Sequence, residues 1–444
     1  IIPGTCKEIA QNAFRNNPTL EHVIMENGVE KIGENAFREC TNLTTVEMPD
    51  SITEVGSSCF MDNSKLENVK LSNNIKIINS QVFFGCTKLN NIELPENLEQ
   101  ISSECFSGTG ITEMKLPRNL KTIVNGSSLP PKLQTIDTSE NSYFEFIDGV
   151  LYTKDLKTLL FALSNVTNIN MKESVEKIST SAFENCSLLT RINITSKVKS
   201  IGNFAFYNSK LSSITVSSGN NYFSTDERYN LYNKDGTVLY RCFDKGNITI
   251  KDGVQNIVRG AFINDGTITG ITLPESYIGD TTTGWNTFPT LNYIKLPKNV
   301  KSIDKQAYFQ IKNIEVSSEN PYLNSINNEY ILSEDGTELY WVNSDLTDVQ
   351  IPNTVKTIKQ YALMITKAEN IVLPASVEKI ELSIFHASTI KKIEIQSNIK
   401  EISTTAFSSA SNLSEIIIHK EAGSISGSPW GCTIGNKAVS WVGE

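Results

Sequence analysis

The sequence predicts an α/β-type repeat fold, a solenoid of about 23-residue coils in which each coil is a short parallel strand plus a helical turn, with three β-hairpin inserts. Two observations carry that expectation. Phe14, Phe37, Phe60, Phe83 and Phe106 fall 23 residues apart, as do Phe183 and Phe206, and self-similarity at one period marks a stack of like units. The pieces Ile92-x-Leu94-Pro95, Ile271-x-Leu273-Pro274 and Ile294-x-Leu296-Pro297 alternate apolar with polar residues, the period-two mark of a short strand with one buried face. A chain of 444 residues would otherwise suggest two or three globular domains, but an internal repeat overrules length.

The strand comes first. Around each phenylalanine the frame reads Val29-x-x-Ile32, Ala36-Phe37, Cys40, Leu43 and Val46-x-Met48-Pro49, and it returns from Leu98-x-x-Ile101 through Cys105-Phe106 to Met114-x-Leu116-Pro117. Proline ends the strand because it has no amide to give a ladder. The second element is the Ala-Phe-x-x-Cys-x-x-Leu piece, whose apolar residues lie three apart, which predicts a helical turn or 3₁₀ segment on the other side of the coil. A single coil cannot bury both faces, so neighbours must stack. About 15 strand segments from Val23 to Ile416-Ile418, at ~4.8 Å spacing, give an elongated stack on the order of 65 Å. The Ala-Phe pair degrades to Ala307-Tyr308, Ala362-Leu363 and Ile384-Phe385 before returning as Ala406-Phe407.

The repeated L-x-x-I-x-L-P-x-x-V-x-x-I-(x)3-A-F-x-x-C pattern resembles the BspA-like subfamily of leucine-rich-repeat proteins, and the match runs over nearly the whole chain. The resemblance implies an extracellular or cell-surface protein of a bacterium or protozoan parasite, acting in adhesion or in binding a host protein, matrix component or glycan.

The third kind of element breaks the period. Tyr143-Phe144 to Asp155, Tyr222-Phe223 to Asp235-Gly236, and Tyr322-Leu323 to Asp335-Gly336 resemble one another. An Asp-Gly turn lies between apolar β-type runs in the second and third, while Asp155-Leu156 stands in its place in the first. The expected organisation is therefore regular coils over 1–136, a first hairpin over 137–168, coils over 169–220, a second hairpin over 221–246, irregular coils over 247–316, a third hairpin over 317–346, coils over 347–419 and a C-terminal cap over 420–444. Ser428-Pro429-Trp430 and Trp441 mark the cap. The opening Ile1-Ile2-Pro3 reads as the middle of a repeat, with upstream sequence removed.

Tyrosine is absent before Tyr143, yet nine of the fourteen lie in the inserts. Two roles are open for them: anchoring a protruding hairpin on the coils, or forming a contact surface for protein or glycan. Tyr152, Tyr232, Tyr240, Tyr340 and Trp341 are the candidate ligand-binding residues.

Charge and motif content narrow the function classes. A formal net charge of -9 argues against nucleic acid, which needs clustered Lys and Arg. No apolar run approaches the length of a membrane span. His22, His386 and His419 lie in different coils, with no H-E-x-x-H and no G-x-S-x-G, so neither a catalytic triad nor a metal site is expected. No cofactor is expected, and the state expected is a monomer. The eight cysteines form no C-x-x-C pair. They read as small buried thiols, although Cys40 with Cys59 and Cys86 with Cys105 are each 19 apart on adjacent coils, leaving two disulfides open.

On the strand face the outward residues run Glu47, Lys70, Glu93, Lys115 and Asp137, alternating in sign, and are expected to neutralise one another across the ~5 Å between strands. The face then turns neutral at Asn193, Thr215, Thr249 and Thr272, and apolar at Val372 and Ile417. The sequence thus favours a non-enzymatic surface binder, with a structural spacer as the alternative and a hydrolase with a dispersed active site behind both.

Overall fold

The computed structural model describes residues 1–262, 267–278, 291–303, 311–364, 366–385, 388–408, 410–431 and 438–443. The chain divides into two compact units, Ile1–Lys234 with Tyr240–Phe243, and Asp235–Leu239 with Asp244–Glu444.

In the first unit most regular coils contribute two short strands, but the Ile92-x-Leu94-Pro95 piece, expected as a strand, forms none and interrupts the row. His22–Ile24, Thr45–Glu47 and Asn68–Lys70 stack in parallel with Val23, Val46 and Val69 in register. The V-x-x-I piece forms a second row, in which Ile9, Ile32 and Val55 pair in parallel, continued by Ile78, Ile101 and Ile123. The central residue is buried in His22–Ile24, Thr45–Glu47 and Glu113–Lys115 and half-buried at Val69, with the flanks more exposed, as a half-buried strand requires.

The helical turn expected of Ala-Phe-x-x-Cys is not formed. Among the described residues the helical segment is a single 3₁₀ turn, Gly126–Ser128. The piece is instead a ribbon of β-turns. Ala36 N and Arg38 N donate to Gly33 O and Asn35 O within the coil, while Asn35 N, Phe37 N and Glu39 N donate to Ser57 O, Cys59 O and Met61 O of the next coil. A helix would keep its amides inside one segment; here alternate amides join neighbouring coils. Asn35 and Glu39 take φ of 54° and 61°, the left-handed value that the third residue of a type II turn demands. Apolar spacing of three arose because Ala36, Phe37, Cys40 and Leu43 all point to one core, which a turn ribbon achieves as well as a helix does.

Inside the ribbon the rings of Phe14, Phe37, Phe60, Phe83 and Phe106 stack at 5.1, 5.4, 5.9 and 5.7 Å. Phe183 and Phe206 stack at 5.6 Å beyond the first insert. Each fully buried ring contributes roughly 1.5–3 kcal/mol by area, with about 0.5–1.5 more from each ring pair. Cys40, Cys59, Cys86 and Cys105 are free thiols packed beside this column. The Cys40 and Cys86 sulfurs bond to Phe14 O and Phe60 O, each at 3.1 Å. Burial pushes the Cys86 thiol up to about 12.

The first insert is an antiparallel pair, Phe144–Ile147 with Val150–Thr153, extended by Thr158–Ala162. That third strand turns to run parallel with Lys177–Ile178, so the insert ends as part of the coil sheet. Leu156 takes φ 57° at the turn that Asp-Gly makes in the other inserts, and Asp155 Oδ1 accepts from Thr153 Oγ1 and Lys157 N to hold it. Phe223–Thr225 pairs antiparallel with Leu231–Asn233 at the second insert.

In the second unit Gly246–Thr249, Ile268–Thr272, Tyr293–Leu296 and Asn313–Val316 form one parallel row. Asn370–Val372, Lys392–Ile395, Glu415–Ile418 and Ala438–Trp441 form another. The third insert repeats the first: Leu323–Ile326, Tyr330–Ser333 and Glu338–Val342 are antiparallel, and the last runs parallel to Thr357–Ile358. The fully buried Trp430 meets Phe407 edge-on at 6.2 Å and donates from Nε1 to Ser426 O. Ala307, Tyr308, His386 and Cys432 lie outside the described residues.

Candidate functional site

The five aromatic candidates occupy two environments. Tyr152, Tyr232 and Trp341 are buried, at 1%, 6% and 7% exposure. Burial pushes the Tyr152 phenol up to about 12. Tyr240 and Tyr340 are half-buried. The Tyr240 ring meets Phe223 edge-on at 5.1 Å. The Tyr340 hydroxyl donates to Glu338 Oε2 at 2.7 Å, and Lys359 Nζ stands 5.9 Å over its ring, held by Glu338 and Glu381 at 3.3 and 2.8 Å.

The inserts do present aromatic surface, at a different position. Tyr143, Tyr222 and Tyr322 are 46%, 45% and 41% exposed, and each is the first aromatic of its insert. A buried asparagine two residues earlier positions each one. Asn141 Nδ2 donates to Pro117 O and Leu120 O of the preceding coil at 2.7 and 2.8 Å, while its Oδ1 accepts from Tyr143 N and Phe144 N at 2.8 and 2.9 Å. Asn220 does the same between Thr195 O, Val198 O, Tyr222 N and Phe223 N. Asn320 does so between Pro297 O, Val300 O, Tyr322 N and Leu323 N. One side chain thus bonds four backbone groups and ties coil to insert, although the first carbonyl of each set also accepts a turn amide, from Leu120, Val198 or Val300. The sequence carries this signal as a repeated Asn-x-Tyr-Phe/Leu.

A lysine of the preceding coil lies over the ring of the third exposed tyrosine. Lys301 Nζ lies 5.3 Å from the Tyr322 ring centroid. Lys121 and Lys199 feel the phenols of Tyr143 and Tyr222, though the carboxylates of Glu99 and Glu176 do most to raise the two ammonium groups. The third insert therefore offers an aromatic ring with a cation over it.

The strand face of the first unit holds an open groove of about 900 Å³ over Glu47, Lys70, Asn91, Glu93 and Glu113. Glu47 and Lys70 stand in register on adjacent strands. Among the described residues, however, no ion pair within 4.0 Å joins Glu47, Lys70 and Glu93. Lys115 pairs with Glu140 at 2.8 Å instead of with Asp137, whose carboxylate accepts from Ser139 N at 2.9 Å. Further along, Asn193 and Thr215 bond to each other at 3.0 Å. In the second unit Lys295 pairs with Glu315 at 2.8 Å, and Val372 is 53% exposed.

Among the described residues no three His, Cys, Asp or Glu side chains converge to hold a metal, and no helix is long and apolar enough to cross a membrane. His22 Nδ1 lies 3.3 Å from Thr44 Oγ1, and His419 Nε2 lies 2.8 Å from Glu394 Oε1.

A family model described as a BspA type leucine rich repeat region matches residues 7–128, 130–233, 236–335 and 336–433. No curated protein matches the chain. Among solved structures, the chain is similar to the pneumococcal vaccine antigen PcpA, at 16% identity and TM-score 0.38 over 100% of this chain and 78% of that one. It is similar to a leucine-rich repeat protein from Eubacterium ventriosum, at 17% identity and TM-score 0.42 over 87% and 82% of the two chains. A leucine rich cell surface protein from Faecalibacterium prausnitzii aligns at 20% identity and TM-score 0.31 over 94% and 84%. The family assignment rests on the model match, whose segments span most of the sequence.

Proposed function

Because the chain belongs to the BspA-type leucine-rich-repeat family, we propose that it is a non-enzymatic binding protein, secreted or displayed at a cell surface, that engages a host protein, matrix component or glycan. The observation that carries this reading is the threefold recurrence of an exposed tyrosine set in place by a buried asparagine, with a lysine over the ring of the third. Coil packing does not require rings that are more than two-fifths exposed. Aromatic rings with an adjacent polar handle are favoured contact groups because they bury much area at low entropy cost. Tyr240 in the second insert and Tyr340 in the third, both half-buried, add contact area within their own inserts, whereas Tyr152, Tyr232 and Trp341 are buried. The strand face, with its unpaired Glu47, Lys70 and Glu93, is the second contact area.

The spacer reading draws support from a different observation. Tyr152, Tyr232 and Trp341 sit inside the inserts, as they would if the aromatics served only to fasten hairpins to coils.

A binding screen against immobilised matrix proteins and glycans separates the two. The triple variant Tyr143→Ala, Tyr222→Ala, Tyr322→Ala should weaken a captured partner by about tenfold or more while thermal unfolding stays close to that of the unchanged protein. Undiminished capture by the variant would remove the insert-contact reading. No capture by either protein would favour the spacer.

A further inference from the structure

The turn ribbon of the first unit is broken once, and the break is a cavity. Regular coils place turn segments at Gln81–Cys86 and Glu104–Thr109, and the next complete one is Ser181–Cys186. Between them lie the short segment Asn125–Pro131 and the end of the first insert. Gly126 N donates to Thr180 O at 2.9 Å, so the chain crosses the break by close backbone approach. A Cβ on Gly126 would meet Ser181 O at 2.4 Å, which is why glycine stands there. The space left over is about 490 Å³.

Its lining combines two features. Phe84, Phe161, Phe204 and Tyr207 supply rings, and Glu104 and Glu184 supply carboxylates, with no lysine or arginine in the wall. Several carboxylates elsewhere on the coil surface of this unit have a lysine partner: Glu99 with Lys121 at 2.6 Å, Glu176 with Lys199 at 2.8 Å, Glu30 with Lys7 at 3.0 Å. No ion pair is formed by Glu104 or Glu184 among the described residues. Glu104 accepts from Gln81 Nε2 at 2.7 Å, a neutral donor that leaves its charge uncompensated. Burial, opposed by a bond from Ser181 and reinforced by the charge of Glu104, pushes the Glu184 carboxyl above its usual range.

Phe204 adds strain. It occupies the left-handed slot, at φ 56°, that Asn12, Asn35, Ser58, Gln81 and Ser181 fill in other coils. A bulky residue there costs about 1 kcal/mol or more, and its ring stands 5.6 Å from Tyr207, edge-on, at the cavity wall.

We propose that this cavity is a receptor for an arginine side chain presented by a protein partner. A guanidinium is planar, stacks on aromatic faces, and donates in a fork that suits carboxylate oxygens. It would neutralise both glutamates, with rings of the wall available to its faces and the wall's serines and asparagines to its remaining donors. The cavity takes no residue from the strand face or from the exposed tyrosines, so this inference stands apart from the insert-contact reading.

The test titrates the intact chain with a blocked Gly-Arg-Gly tripeptide, its Gly-Lys-Gly and Gly-Gly-Gly counterparts, and a neutral oligosaccharide, by calorimetry and NMR shift. The expected result is saturable binding of the arginine peptide, weaker binding of the lysine peptide and none of the others. Glu184→Gln should lower the arginine affinity about tenfold, the scale of one charged contact, without loss of thermal stability, because it removes a poorly solvated carboxylate. Phe204→Asn should also weaken binding while raising the unfolding midpoint, since asparagine suits the slot. Gain in stability with loss of binding cannot be explained by misfolding. The proposal is overturned if the arginine peptide fails to bind, if Glu184→Gln binds it equally well, or if the oligosaccharide occupies the cavity in its place.

Discussion

Asn141, Asn220 and Asn320 show how much one side chain can decide. Each is nine-tenths or more buried, and each ties two carbonyls of the preceding coil to two amides of the insert. Replacing Asn141 with alanine would take the side-chain partner from Leu120 O, Tyr143 N and Phe144 N, while Pro117 O keeps its bond from Leu120 N, and buried unsatisfied groups cost about 1–3 kcal/mol apiece, less where water enters. The expected loss is about 3 kcal/mol, measured by denaturant unfolding, with Tyr143 becoming more mobile. A loss below about 1 kcal/mol would mean that water replaces the amide and that the bracket does not set the insert. The residues were readable as three like tetrapeptides. Their role was not, because an asparagine before an aromatic reads as a turn former until its partners, some 20 residues upstream, are known.

The turn ribbon illustrates what an element's sequence conceals. Apolar spacing of three is shared by a helical turn and by a ribbon of turns; what separates them is where the amides go, and alternate amides here go to the next coil. Polar residues at the left-handed positions, Asn12, Asn35 and Ser58, were the available clue, since a helix has no use for them at that spacing. The ring column follows directly from the 23-residue period and was legible. Because each coil touches only its neighbours, the cost of cutting the column depends on position. Phe60, fully buried between Phe37 and Phe83, should cost about 3–5 kcal/mol on mutation to alanine. Phe14, half-buried and stacked on Phe37, should cost roughly half as much. Equal losses would show that the rings pack independently of the stack.

At the scale of the whole chain, the repeat, its strand rows and its interruptions were legible because each coil restates the same apolar positions, so errors in one copy are corrected by the next. Binding surfaces have no such redundancy. Tyr152 and Trp341 could not be told from Tyr143 by composition, because Tyr152 and Trp341 lie inside paired strands of their inserts whereas Tyr143 precedes the first strand of its own. The same repetition governs the response to pH. Glu99, Glu176 and Glu378 are held below the usual carboxylate range by Lys121, Lys199 and Lys400, and Asp50 and Asp137 by hydrogen bonds from Asn73 and Ser139. Groups with lowered folded values stabilise above their ordinary values, 3.8 for Asp and 4.5 for Glu, and that contribution is lost as pH falls through the lowered ones. Lys121 and Lys199 are raised by the same pairs, so their contribution is present below the ordinary 10.5 and lost as pH climbs past the raised values. Glu184, raised by burial, runs the other way and gains stability on protonation. The expected thermal midpoint is therefore level between about pH 5 and 10 and falls outside that window, shallowly because the paired groups are exposed. Added salt should flatten the part due to Lys-Glu pairs and leave the part due to Asn73 and Ser139 in place. A midpoint that rises below pH 4 would show that buried carboxyls such as Glu184 outweigh the surface pairs, and would point back to the cavity as the dominant unbalanced charge of the fold.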